Sequence, residues 1–253
     1  MKKWLTPALV VTAFTAIAIA ERKRPLRRRV EAESPRIRRN LAMGGLSAIV
    51  TAALQKPLVD RVLHRTTRRR LGLLRAVELP RPVRFIAAIL LLDYTLWWWH
   101  RLNHIAPPLW RFHRIHHLDR DLDVSTALRF HFGEMTLAAF FRAAQIRLLG
   151  VDEDALAWWQ RALLISILFH HSNLELGSDT DARLVRYVVT PRMHGIHHSD
   201  VAENTNSNFA SVFTCWDLLH RSLLYGLPQE SITIGAPERT LQSEAQTQSS
   251  LSP

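Results

Sequence analysis

Thirteen histidines occur in this 253-residue chain, and eleven of them lie between His100 and His198. Ten of the eleven fall into four clusters: His100 with His104; His113 with His116 and His117; His170 with His171; and His194 with His197 and His198. The second and fourth clusters are the same string, HxxHH. Neutral imidazole is a ligand that suits iron, zinc, copper and nickel. On an α-helix, residues i, i+3 and i+4 share a face, so the three helically spaced clusters can each point into one cavity. Eight or more imidazoles are too many for one tetrahedral ion, and two metals are the natural reading. His100, His104, His113, His116, His117, His194, His197 and His198 are therefore the expected ligands. A single HxxxH on a solvated helix would carry no such weight; the repetition does. His64 reads as a surface residue and His220 as a structural one.

Other chemistries find no support. HExxH and GxSxG are absent, and Cys215 is the lone cysteine. No intramolecular disulfide and no four-thiolate iron–sulfur cluster can form within this chain. None of the nine glycines makes a GxGxxG string, so there is no flavin or nicotinamide fingerprint. Any redox electrons must come from another protein.

The elements around the histidines are apolar and basic. Thirty-three Lys and Arg against 22 Asp and Glu give a net charge of +11, with a pI near 11.0. Basic residues crowd into 22–39 and 61–84, beside apolar segments, as juxtamembrane arginines do against anionic headgroups. No nucleic-acid motif accompanies them, so the expected partner is a membrane and not a nucleic acid. Residues 4–20 carry no charged side chain. They read as an uncleaved anchor or as a signal peptide ending in Ala18-Ile19-Ala20, and the arginines that follow argue against cleavage.

Residues 41–54 are apolar but short for a span unless they extend toward Val59. Residues 62–76 resemble an interfacial amphipathic helix. Pro80 and Pro82 break the chain. Residues 83–99 read as a further span ending in Trp97-Trp98-Trp99, an aromatic belt. Two apolar helices, 135–149 and 155–169, form either a hairpin dipping into the bilayer or core helices of a cap. A full span at 41–59 would put the two basic stretches on opposite sides, and a re-entrant segment would leave both cytoplasmic. Residues 228–253 are rich in Ser, Gln, Thr and Pro, as in a disordered tail. The expected organisation is membrane and interfacial helices over 1–82, a catalytic domain over 83–227 and a polar tail over 228–253.

From Asp93 to Tyr225 the chain resembles the fatty acid hydroxylase and sterol desaturase superfamily of integral-membrane di-metal oxygenases. Asp93-Tyr94 through His100 and His104 is similar to the family's first box. His113-Arg-Ile-His116-His117 resembles the second, and Arg129-Phe-His131 with Glu134 an Arg-x-His…Glu segment. His170-His171-Ser172-Asn173 matches the HHSN element, and Pro191 to Ser199 the third box. Asn208 and Trp216-Asp217 stand where the family has Asn-Tyr-Gly and Trp-Asp elements, although Phe-Ala follows Asn208 and Leu218-Leu follows Asp217.

The resemblance implies an all-α membrane bundle with a cytosolic helical cap that holds two irons, zinc being a possible substitute in a purified sample. It adds one of the HH pair to the eight ligands. Adjacent helical residues diverge by about 100°, so the expectation is His170 as ligand and His171 as an outer partner. His131 is the candidate tenth ligand. Asp93, Glu134 and Asp217 are expected to orient imidazoles, and Asn173 and Asn208 to stand behind the ligands. The implied reaction is hydroxylation or desaturation of a C–H bond of a lipid (fatty acyl, sterol or sphingolipid-like) with O2. Electrons would come from a ferredoxin or from a b-type cytochrome with its reductase. The residues leave other readings open: a metal carrier or non-catalytic member on the same scaffold, or a zinc hydrolase.

Overall fold

The structure is a computed structural model and describes residues 5–237. Among the described residues the fold is helical, with isolated bridges and no strand. The helices are α1 (Leu5–Lys23), α2 (Glu33–Val50), α3 (Lys56–Arg68), α4 (Leu73–Ala76), α5 (Arg81–Ile105), α6 (Pro107–His117), α7 (Phe132–Leu149), α8 (Glu153–His170), α9 (Ser178–Leu184), α10 (Pro191–His197), α11 (Ala202–Thr205) and α12 (Cys215–Leu219).

Prolines start the helices that carry the histidine boxes: Pro82 in the first turn of α5, Pro107 and Pro108 in α6, and Pro191 in α10. A proline at the first helical position loses no bond, because its missing N–H would be unpaired there. Pro57 acts differently. Its ring and missing donor disrupt the turn before it. There Thr51–Gln55 widen into a π-helical turn, and α2 runs on into α3. Through residues 41–59 the helix is thus continuous and does not turn back on itself. The basic stretches 22–39 and 61–84 lie at opposite ends of one long helical run. The stretch Glu33–Ala76 is long and apolar enough to cross a membrane, the one such helix found among the described residues.

The expected span at 83–99 lies within α5. That helix has 25 residues, yet it does not combine the length with the apolarity of a span. Nor do its tryptophans form a belt. Successive helical residues point about 100° apart. Trp97 is buried and its Nε1 donates to Asp217 at 2.8 Å, while Trp98 faces outward.

α5 and α8 run parallel, with α7 antiparallel between their ends. At one end Arg75 and Arg84 pair with Asp152, and Arg81 with Asp154. Gly72 and Gly150, both at positive φ, pass so closely there that a Cβ on Gly72 would collide with the Gly150 backbone. A core of Leu74, Ala88, Leu92, Ile146, Leu156 and Trp159 fills this half. The helices 135–149 and 155–169 both contribute to this core, while Leu137, Phe140, Leu148 and Trp158 stay exposed. At the opposite end lie the C-termini of α1, α5 and α8 and the N-termini of α2 and α7. There α6, the loop 118–131 and the segment after α8 form a cap over a second core of Trp97, Val185, Val189, Met193 and Phe209.

Residues 228–237, expected to begin a disordered tail, are held on the cap. Gly235 N donates to the His198 carbonyl and Asp200 N to the Thr233 carbonyl, both at 2.9 Å. The polarity of the segment is used in hydrogen bonds to the cap. The rest of the expected tail, 238–253, lies outside the described residues.

Candidate metal centre

Each cluster reaches the cap from a different element: His100 and His104 from the last turns of α5, the second cluster from α6, His171 from just beyond α8, and the last cluster from α10 and its C-cap. Nine imidazoles assemble into two adjoining groups. One holds His100, His104, His113, His117 and His197; the other holds His116, His171, His194 and His198. Within each group one ligand atom per residue lies within 4.8 Å of all the others. The rings of His117 and His198, one from each group, stack at 4.3 Å.

Helical geometry explains the split. Residues i and i+4 are about 40° apart around the axis, whereas i+3 and i+4 differ by about 100°. Thus His113 and His117 serve the first group while His116 turns to the second. In α10, His194 and His198 serve the second group while His197 turns to the first. Each HxxHH string contributes to both.

The donor set fits metal ions. In the second group Nε2 of His171 lies 2.9 Å from Nε2 of His116 and 3.0 Å from that of His194, which is 3.1 Å from Nε2 of His198. Two nitrogens about 2.1 Å from one ion and 90° apart would be separated by about 3.0 Å. In the first group the buried Nε2 atoms of His104, His113, His117 and His197 have no hydrogen-bond partner.

In five of the nine imidazoles the opposite ring nitrogen, Nδ1, is occupied, whereas Nδ1 of His117, His194 and His198 has no partner. His100 Nδ1 lies 2.8 Å from the Phe209 carbonyl, His197 Nδ1 2.7 Å from that of Ser207, His171 Nδ1 2.8 Å from that of Ile167 and His116 Nδ1 3.2 Å from that of Arg129. His113 Nδ1 lies 3.0 Å from Glu134 Oε1. A carbonyl can only accept, so each such contact fixes the proton on Nδ1 and leaves the Nε2 lone pair for a metal.

Burial, and then repulsion from neighbouring imidazoles, holds His116, His117, His194 and His198 well below the usual histidine range. Burial brings His171 down to about 4 and His197 to about 3. Neutral ligands are thereby favoured before any metal arrives.

The structure corrects several expectations. It brings His171, not His170, into the second group. The helix ends at His170, and the turn that follows aims His171 inward. His170 meets the Ser211 carbonyl, and its Nδ1 has no partner. His131 joins neither group: it caps α7, accepting from Gly133 N at 3.0 Å, and stacks on Phe112.

Of the expected outer carboxylates, Glu134 alone touches an imidazole. Asp93 accepts from Trp216 Nε1 at 2.8 Å and from Phe213 N at 3.1 Å. Asp217 accepts from Trp97 Nε1, Ser222 Oγ and the Phe209 and Ala210 amides, and so acts on His100 through the Phe209 peptide. Asn208, at φ 54°, ties the Met193 and Leu224 carbonyls together. Asn173 pairs with the Arg27 backbone instead of a ligand.

Sequence reasoning missed the carbonyls of Phe209, Ser207, Ile167 and Arg129, because every residue type carries one. It also missed buried Arg36, which pairs with Asp119 at 3.1 Å and with Asp123. The alternation of aspartates at 119, 121 and 123 after the second box was the available signal.

Residues 85–222, a little over half of the chain, match the family model described as fatty acid hydroxylase. No curated protein and no solved structure gives a match.

Proposed function

The chain belongs to the fatty acid hydroxylase family, and on that premise we propose that it is a membrane-bound di-iron oxygenase that hydroxylates or desaturates a lipid C–H bond. The family itself points to an oxidoreductase acting on lipid. The observation that carries the finer reading is the pair of imidazole groups with free or mutually facing Nε2 atoms, five of the rings being tethered at Nδ1. Nine neutral nitrogen donors in two adjoining sets suit two first-row ions, and iron is the O2-activating member of that series that we assign here, on the family premise. Bound there, two irons would supply the O2 activation that an unreactive C–H bond requires.

The chain's own part is placement and exclusion. Glu134 and the four carbonyls hold the imidazole rings in fixed orientations. Phe209 lies over the first group, its ring 5.3 Å from that of His104, and Trp110 covers the same side at 5.1 Å. Both keep bulk water from the Nε2 atoms. His100 and His104 are the two partly exposed members, so substrate approaches along α5 to the first group, while the four histidines of the second group are buried.

Membrane attachment is supported by Glu33–Ala76 and by apolar side chains left exposed along the bundle: Leu41, Leu46 and Ile49 on α2, Val83, Ile86 and Leu90 on α5, and Leu137 and Phe140 on α7. Apolar surface on several neighbouring helices suits lipid contact. The histidine end is assigned to the cytoplasm, where a ferredoxin or a cytochrome b-type donor can reach it.

The test combines metal analysis of detergent-purified protein with a comparison of lipid extracts from cells with and without it. Two irons per chain and a hydroxylated or unsaturated lipid that disappears in a His104→Ala strain are expected. Absence of iron together with unchanged lipids refutes the assignment.

A further inference from the structure

All four histidines of the second group ride on three elements gripped by the same N-terminal segment, whereas His100 and His104 of the first group ride on α5, outside that grip, and His113, His117 and His197 share α6 and α10 with second-group members. That segment, residues 21–40, lies wholly outside the stretch that matches the family model.

The first grip is on His171. Glu21 is buried, and its Oε2 accepts from Asn173 N at 2.9 Å and from Val124 N at 3.1 Å. Leu26 N donates to the Asn173 carbonyl at 2.8 Å, and Arg27 and Asn173 exchange two more bonds. The chain two residues beyond His171 is therefore pinned on every polar side.

The second grip is on His116. Fully buried Asn40 accepts from Arg129 Nη1 at 3.0 Å and donates to Asp119 Oδ2 at 2.9 Å. Arg129 Nε donates to the Ile115 carbonyl at 2.8 Å, and the Arg129 carbonyl meets His116 Nδ1.

The third grip is on α10. Arg27 Nη2 donates to the Pro191 carbonyl at 3.1 Å and to Gln229. Its guanidinium occupies the space where a Cβ on Gly195 would stand, inside the HxxHH string. Gln229 and Gly235 come from the segment after the family match, so the two flanks of the chain meet over His194 and His198.

We infer that residues 21–40 are a positioning strap for the second metal site: Glu21, Arg27 and Asn40 hold His171, the His194–His198 pair and His116 at their mutual distances. The inference rests on the two-metal reading above. His116 and His171 both carry the proton on Nδ1 against a carbonyl, so their Nε2 lone pairs face one another at 2.9 Å in the metal-free protein. Something outside the set must hold it closed, and outer bonds of this kind typically alter metal affinity about 10–100-fold.

Cobalt(II) is the probe, because its visible absorption reports each site separately from turnover. Metal-free full-length protein in detergent is titrated, with His104→Ala and His171→Ala as references for loss of the first and second site. Wild type should take two equivalents. Glu21→Ala, Arg27→Ala and Asn40→Ala should each keep one tight equivalent and bind the other at least tenfold more weakly, with the spectrum of His171→Ala. Arg27→Lys, which keeps the charge but not the planar group over Gly195, should be intermediate. Gly195→Ala, which displaces that guanidinium, should behave as Arg27→Ala. Arg75→Ala, which removes a comparable ion pair at the far end, should keep both equivalents and controls for general loosening. Two undiminished equivalents in all three strap variants, or parallel weakening of both sites, overturns the strap alone. Fewer than two equivalents in wild type overturns the two-metal reading and the strap with it.

Discussion

The buried carboxylate of Glu134 stands 3.0 Å from Nδ1 of His113, linking the first turn of α7 to the second histidine box across 21 residues. It is the one direct carboxylate–imidazole contact among the described members of the two groups. Its effect is to orient His113 and to raise the basicity of the opposite nitrogen. Glu134→Gln keeps the shape and removes the charge. Competition with a chelator should show the first site weakened by roughly 10–100-fold and the second unchanged. Equal loss from both sites would contradict this separation.

The HH pair gives a sharper test. His171 faces both His116 and His194, whereas His170 meets a backbone carbonyl. His171→Ala should cost one metal of two, and His170→Ala should retain both. Elemental analysis of the purified variants decides it, and the opposite order would mean that the inward turn after α8 is misassigned.

Asp217 accepts four hydrogen bonds, from Trp97, Phe209, Ala210 and Ser222, while fully buried. In Asp217→Asn the new amide must face donors, leaving at least one of them unpaired. The expected cost is about 2–3 kcal/mol, read as a lower denaturation midpoint. Because Phe209 carries the carbonyl that meets His100, the variant should also weaken the first metal site.

Acid should unfold the metal-free protein, and the sign follows from burial. In the unfolded chain imidazoles titrate near pH 6.5, whereas folding pushes His171 to about 4 and His197 to about 3. Above pH ~6.5 both states are neutral and stability is flat with respect to these groups. Below it the unfolded state binds protons that the folded state refuses. Each such histidine then removes about 1.4 kcal/mol per pH unit until the folded value is reached. Melting temperatures of metal-free protein should fall from pH 7 to pH 5. A curve that stays flat or rises in that window contradicts the neutral cluster.

The continuous α2–α3 run predicts sidedness. A single cysteine placed at Arg28 and one placed at Arg69, in a Cys215→Ser background, should react with a membrane-impermeant reagent from opposite faces of sealed vesicles. Labelling from the same face would restore a re-entrant path for residues 41–59.

The sequence by itself picked out the candidate ligands that ride on helices. The spacings in His100/His104 and the two HxxHH strings are helical periods, and a period survives whatever the helix packs against. It likewise placed apolar helices over 83–99, 135–149 and 155–169, where α5, α7 and α8 stand among the described residues. Only the tertiary structure decided which of the two groups each histidine joins, because i+3 and i+4 diverge by about 100° and the choice depends on where α6 and α10 point. The same holds at the end of α8, where the turn after His170 brings His171 rather than His170 into the second group. His131 was drawn into the expected set by resemblance and proved to be a helix cap. The carbonyls behind the imidazoles, and the strap of Glu21, Arg27 and Asn40, were invisible in the chain. A backbone oxygen has no letter, and a contact between residues 21–40 and 116–195 exists only after the helices have folded back on one another.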